Sequence, residues 1–300
     1  MRKRDEYNQH LIGIVLSSAG IILLSFDTVL IRLSAVPAWD VAFWRGFLIF
    51  ASVSLLLFLR EKTTFVSRIK SQGLPLVVSG LLWGSTGVLF VISVKLTIAA
   101  NVLVMMSLSP LYAAIFSYFL LKEKIRRGSF LMIILAVLGI YIIFSGKIEI
   151  GNILGDILAL FIPVSLGFNL VWMRRFRGIS MPSAVIIGGL VAAVISLPFI
   201  NPLAIPLKSF IYLALLGLGA IPAAQLLIAA GTGFIPASET ALIMMLESVI
   251  GPFWVWIFMG EVPPGRTFIG GAILLTGVFA NSVFSIVRER GKNSALREKL

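Results

Sequence analysis

Asp27, Arg45 and Glu247 are ionisable residues set inside runs that are otherwise apolar, and any chemistry in this chain starts from them. An ionisable group in hydrocarbon costs about 2.5–3.5 kcal/mol, so such a residue faces a partner or a water-filled cavity. Glu247 stands near the middle of the apolar run Ala237–Met259. One reading makes it a ligand for a substrate amine or hydroxyl, or a site that carries a proton. The other makes it a buried carboxyl that hydrogen-bonds between helices and stabilises their packing. Asp27 and Arg45 lie at similar depths in the first two apolar runs, given a helical rise of about 1.5 Å per residue. They read as a charge pair, structural or gating. Catalysis is a poor fit. The chain has no cysteine, its one histidine is His10 at the edge of the first run, and no carboxylates stand at catalytic spacing. Neither a thiolate metal site nor a disulfide framework can form, and no cofactor is implied.

Uncharged groups in the same runs extend the set of candidate binding residues. Ser109 occupies in one copy of a repeated segment the place that Glu247 occupies in the other. Trp83 sits among Gly80, Gly84 and Gly87, a spacing that allows close helix approach. Asn169 and Gln225 line a cavity or act as interhelical glue, and Tyr112, beside Met105 and Met106, is read as binding or as packing. Asp156 and Glu239 are near run ends, where a carboxylate is structural or solvated. Pro110, Pro163, Pro222 and Pro252 interrupt runs and favour kinks.

The elements that must position these residues are membrane helices. Of 300 residues 59% are hydrophobic and 13% charged, and the mean hydropathy is +1.04. The apolar residues come in runs of about 20, the length that crosses a bilayer core, without the alternation of a barrel strand. Ten spans are expected: Leu11–Leu33, Asp40–Leu59, Leu74–Val94, Ala99–Leu121, Ser129–Phe144, Ile153–Met173, Ser183–Ile200, Ser209–Ala230, Ala237–Met259 and Thr267–Val287. The first run is too long for a signal-peptide core and is read as a retained span. A net charge of +12 would suit nucleic acid, but the cations sit at the ends of apolar runs, where they orient the chain and meet anionic lipid.

Placing the N-terminus inside puts 19 Lys and Arg in the inner segments and five in the outer ones, with Arg45 within a span. Basic segments stay cytoplasmic, so both termini are expected there. Ala99–Phe144 also aligns without a gap with Ala237–Ser282, matching Met106 to Met244, Leu108 to Leu246, Glu123 to Glu261 and Gly139 to Gly277. The bend after Glu123 is crowded with Lys and Arg, whereas that after Glu261 holds Pro263, Pro264 and Arg266. One unit therefore reads as lying in the membrane both ways up, a construction of many secondary transporters. A weaker match sets Phe26, Asp27, Val29 and Arg32 against Phe168, Asn169, Val171 and Arg174.

The run from Gly155 to Leu160, Ile235-Pro236-Ala237-Ser238, and Leu246-Glu247-Ser248-Val249 leading to Gly260-Glu261 resemble the drug/metabolite transporter superfamily, EamA type. Their first-half counterpart is Ser107–Leu111 leading to Lys122-Glu123, where Lys122 replaces the usual glycine. The resemblance implies an all-α integral membrane fold: ten transmembrane helices as two inverted five-helix repeats around a central cavity. The repeats fall at 11–145 and 152–287, with basic cytoplasmic tails at 1–10 and 288–300. It implies an inner-membrane secondary transporter that exports a small metabolite, an amino acid or drug-like solute, by alternating access. The alternative is a lipid- or nucleotide-type carrier or flippase of the same fold, ahead of a channel or a membrane enzyme. The partners expected are a small-molecule substrate, membrane lipid and a coupling proton, and not nucleic acid.

Overall fold

A computed structural model describes the chain except for residues 1, 63, 124–126, 146–149, 177, 201–204, 236–242, 245, 278 and 280–300. Glu239, the first turn of the ninth expected span and the C-terminal basic tail lie outside the described residues. Long apolar stretches make long helices, and turns mark where they stop. Helix α1 (Arg2–Leu24) ends at a turn on Ser25 and Phe26, and α2 (Asp27–Leu33) continues the span. Pro37 then leads into α3 (Ala38–Glu61).

Helix α4 (Thr64–Leu96) contains a bend at Gly73, whose φ of 56° only glycine adopts without strain. The fourth apolar run is also broken. Helix α5 (Ala99–Met106) and α6 (Ser109–Leu121) meet at a turn on Ser107 and Leu108. Pro110 falls in the first turn of α6, where a missing N–H costs no hydrogen bond.

Then come α7 (Arg127–Phe144), α8 (Ile150–Arg175) and α9 (Met181–Ser196), the last capped by the Ser180 side chain accepting from the Ser183 N–H. Helix α10 (Leu207–Ala214) widens into a π-helical stretch, Leu215–Ala220, before α11 (Ile221–Gly231). Pro222, which has no N–H to donate back, follows that stretch directly. Helix α12 (Glu247–Met259) and a helix over residues 265–277 complete the described chain. Among the described residues seven helices are long and apolar enough to cross a membrane, and α12 is a shorter apolar helix.

The helices pack by close backbone approach and by polar contacts across interfaces, as membrane helices do. Helix α1 lies along α11, and α8 along α4. Helices α3 and α9 cross at Gly46 and Gly189, where a Cβ on either residue would stand 2.7 Å from the other's carbonyl oxygen. Helix α5 meets α12 where Leu103 packs against Gly251, and α7 meets the last described helix where Gly139 faces Gly270. The core between them is closed by Ile31, Val41, Val91, Met105, Leu108 and Ile162.

The two ends of the bundle collect different segments. At one end Gln72 accepts from the Ser180 N–H (2.8 Å), and Arg174 pairs with Glu123 (3.0 Å). At the other, Arg32 donates to the Thr97 carbonyl (2.7 Å) and Thr97 donates to Asp156 (2.6 Å). Helices α4 and α8 run from one end to the other.

Candidate functional site

The structure brings three of the singled-out residues together: Asp27, Arg45 and Glu247. Asp27 is the first residue of α2, just past the turn that interrupts the first span. Arg45 reaches it from α3 with a two-pronged contact, Nη2 to Oδ2 at 2.6 Å and Nε to Oδ1 at 3.2 Å. A fork of this kind is the strongest arrangement open to a guanidinium and a carboxylate. It is also well shielded, the side chains of Arg45 and Asp27 being 13% and 7% exposed. The guanidinium lies 5.9 Å from the centre of the Phe90 ring, and the missing side chain of Gly87 leaves it room.

Glu247 completes the group from α12, of which it is the first residue after a turn at Leu246. It is 8% exposed, and the charges of Asp27 and Arg45 act on it with opposite signs. Among the described residues nothing donates a hydrogen bond to its carboxylate. Helix α12 is fastened to the broken first span about two turns further along. The Trp254 Nε1–H donates to Ser25 Oγ (3.0 Å), and the Trp254 and Phe26 rings stack at 4.8 Å. Both starting points, Asp27 and Glu247, thus follow helix interruptions that α12 clamps together.

The other singled-out residues are held elsewhere. Asn169, buried on α8, accepts from Ser79 Oγ of α4 at 2.7 Å, so it joins two helices. Ser109 donates to the Met106 carbonyl across the α5–α6 break. Tyr112 packs where α6 meets Gly167 of α8. Trp83 packs against the core with its Cβ at Gly188 of α9. Gln225 is half-buried on α11.

The residues that sequence reasoning left aside form the second polar group. Glu261 accepts from the Ala99 N–H (2.8 Å) and pairs with Arg32 (3.2 Å), so one carboxylate caps α5 and holds α2. Beside it Asp156 also accepts from Asn101 (3.1 Å), and Asn101 accepts from Thr267 (2.7 Å). Asp156 and its partners are buried. The shared Arg and Glu spacing of the two halves was the available signal. It matches Arg32 to Arg174 and Glu261 to Glu123, the residues that pair across the halves.

Residues 11–145 and 153–283 match the family described as the EamA-like transporter family. Over 256 residues the chain is 23% identical to the pseudopaline exporter CntI of Pseudomonas aeruginosa, an alignment covering 83% of this chain and 87% of that one. The uncharacterized transporter YdfC of Bacillus subtilis is 22% identical over 190 residues, 61% of this chain and 62% of its own. A crystal structure aligns with a TM-score of 0.64 and 18% identity over 91% of this chain and 98% of that one, a likeness of fold.

Proposed function

The chain belongs to the EamA-like transporter family, and from that premise we propose that it exports a small polar or amphipathic metabolite by alternating access around Glu247. The scaffold in this reading is two inverted five-helix repeats that enclose a central cavity in the inner membrane, with both termini cytoplasmic. Matched parts support it. Helices α6 and α12 each have 13 residues, begin at the aligned Ser109 and Glu247, and end at left-handed residues, Lys122 and Gly260. The glutamates just beyond, Glu123 and Glu261, pair with the aligned arginines Arg174 and Arg32 at opposite ends of the bundle. Inverted repeats that exchange such contacts supply the two faces of a rocking carrier. Export is the direction carried by the name of the Pseudomonas relative.

One observation carries the site: Glu247 is a buried carboxylate, next to an ion pair, at the start of an interrupted apolar helix. An ionisable group so placed marks a substrate or ion path. The test is transport of a labelled metabolite panel by the purified protein in proteoliposomes, wild type against Glu247→Gln. Removing a contact of about 1.4 kcal/mol costs about ten-fold, so transport should fall at least that far while the melting temperature stays near wild type. A folded Glu247→Gln protein that transports at the wild-type rate overturns the assignment.

A further inference from the structure

We propose that the group of the cargo recognised at Glu247 is a protonated amine, so that the carrier takes net-cationic solutes. This deepens the reading of Glu247 as the transport site and rests on it. Three charged groups meet here, two carboxylates and one guanidinium, and the guanidinium is paired with one of the carboxylates. Its Nε and Nη2 both go to Asp27, and its Cζ lies over the Phe90 ring. Arg45 therefore compensates Asp27 through its Nε–Nη2 edge. Glu247 is left over, nine-tenths buried and without a hydrogen bond among the described residues.

Among the described residues of the helices packed against α12, no other cation is placed to compensate it. Helix α5, which packs against α12, carries no ionisable side chain, and Glu247 is the one ionisable residue of α12. Helix α2 brings Asp27 and Arg32, and Arg32 is engaged at the end of the bundle with Glu261 and the Thr97 carbonyl. The ionisable residues of α1 occupy its opening turns, far along the helix from the Ser25 and Phe26 turn. The site as built carries one excess negative charge when all three groups are ionised. An ammonium group neutralises it by donating to the carboxylate, whereas an anionic cargo would add to the excess. A neutral cargo leaves it uncompensated.

The experiment uses the full chain in proteoliposomes with a fixed set of labelled probes. Putrescine, lysine and phenethylamine are the cations, leucine the zwitterion, phenethyl alcohol the neutral solute, and glutamate and citrate the anions. At least one cation should move about ten-fold faster than in empty vesicles. Glu247→Gln should abolish that movement, and Glu247→Asp should retain part of it. Movement of leucine, phenethyl alcohol, glutamate or citrate with none of the cations overturns the assignment to net-cationic solutes and leaves the carrier reading standing. Movement of no probe overturns both. Should Glu247→Gln fail to fold, quenching of wild-type tryptophan fluorescence by phenethylamine against phenethyl alcohol decides the matter. Tighter binding of the amine supports the assignment, and equal binding of the alcohol overturns it.

Discussion

The broken first span with α12 and the unbroken α8 with α6 are built from aligned residues and handle charge in opposite ways. In the first region Asp27 is ion-paired to Arg45 beside the buried Glu247. In the second, the aligned Asn169 makes a neutral hydrogen bond with Ser79, and the aligned Ser109 bonds its own backbone. Even the helices differ. The turn at Ser25 and Phe26 has no counterpart in α8, which runs through Pro163 as one helix. The flanking pairs diverge too: Arg32 and Glu261 are 22% and 24% exposed, Arg174 and Glu123 60% and 48%. One scaffold thus holds a buried charged group at one set of positions and neutral hydrogen bonds at the aligned set. Burial, more than the identity of the residues, sets how much each matched contact contributes.

The largest effect should come from the contact that makes the first region charged. Neutralising Asp27 or Arg45 alone leaves the other charge buried, and each single change should cost about 3–5 kcal/mol. Replacing both with apolar residues of similar size should recover most of that loss. Thermal unfolding of the four proteins in the cycle checks this, and additive losses would show that the two charges do not compensate one another.

Next in size is the flanking pair on the same side. Glu261→Ala removes a half-shielded ion pair and the carboxylate that caps α5, which together should cost about 2 kcal/mol. The melting temperature should fall by several degrees, and an unchanged value would place the anchoring in the Asp156 network instead.

The smallest effect belongs to the second region. Glu123→Ala removes an exposed pair, and exposed pairs contribute about 0–1 kcal/mol, less as salt rises. Its melting temperature should stay within a degree or two of wild type. A loss equal to that of Glu261→Ala would erase the distinction drawn between the two regions.

Much of this was legible in the residues. Hydropathy marked the apolar runs, and the shared Glu123 and Glu261 marked the repeated segment, because run length and register are local properties. Depth was legible too: Asp27 and Arg45 were placed at one level by rise per residue, and they are in contact. What escaped was who touches whom across long separations. Arg32 and Glu261 are 229 positions apart, and no local pattern announces that a loop glutamate caps a helix in the other half. Asn169 was read as lining a cavity or as interhelical glue, and it accepts from Ser79, a residue that hydropathy treats as background. Asp156 was read as structural or solvated from its place near a run end, and it lies buried in a four-residue network. The helix interruption at Ser25–Phe26 carries no Gly or Pro and gave no warning, whereas Pro110 marked the one at Ser107–Leu108.

The crossing of α3 and α9 bears on which changes the bundle tolerates. A Cβ at Gly46 would stand 2.7 Å from the Gly189 carbonyl oxygen, and one at Gly189 would stand 2.7 Å from the Gly46 carbonyl oxygen. Each glycine thus limits the other, and neither helix takes a side chain there unless the two move apart. One residue earlier the two arms diverge. Arg45 reaches out to Asp27, whereas Gly188 lies bare against the Cβ of Trp83. The crossing fixes the backbone, and the positions beside it carry a long charged side chain in one arm and none in the other.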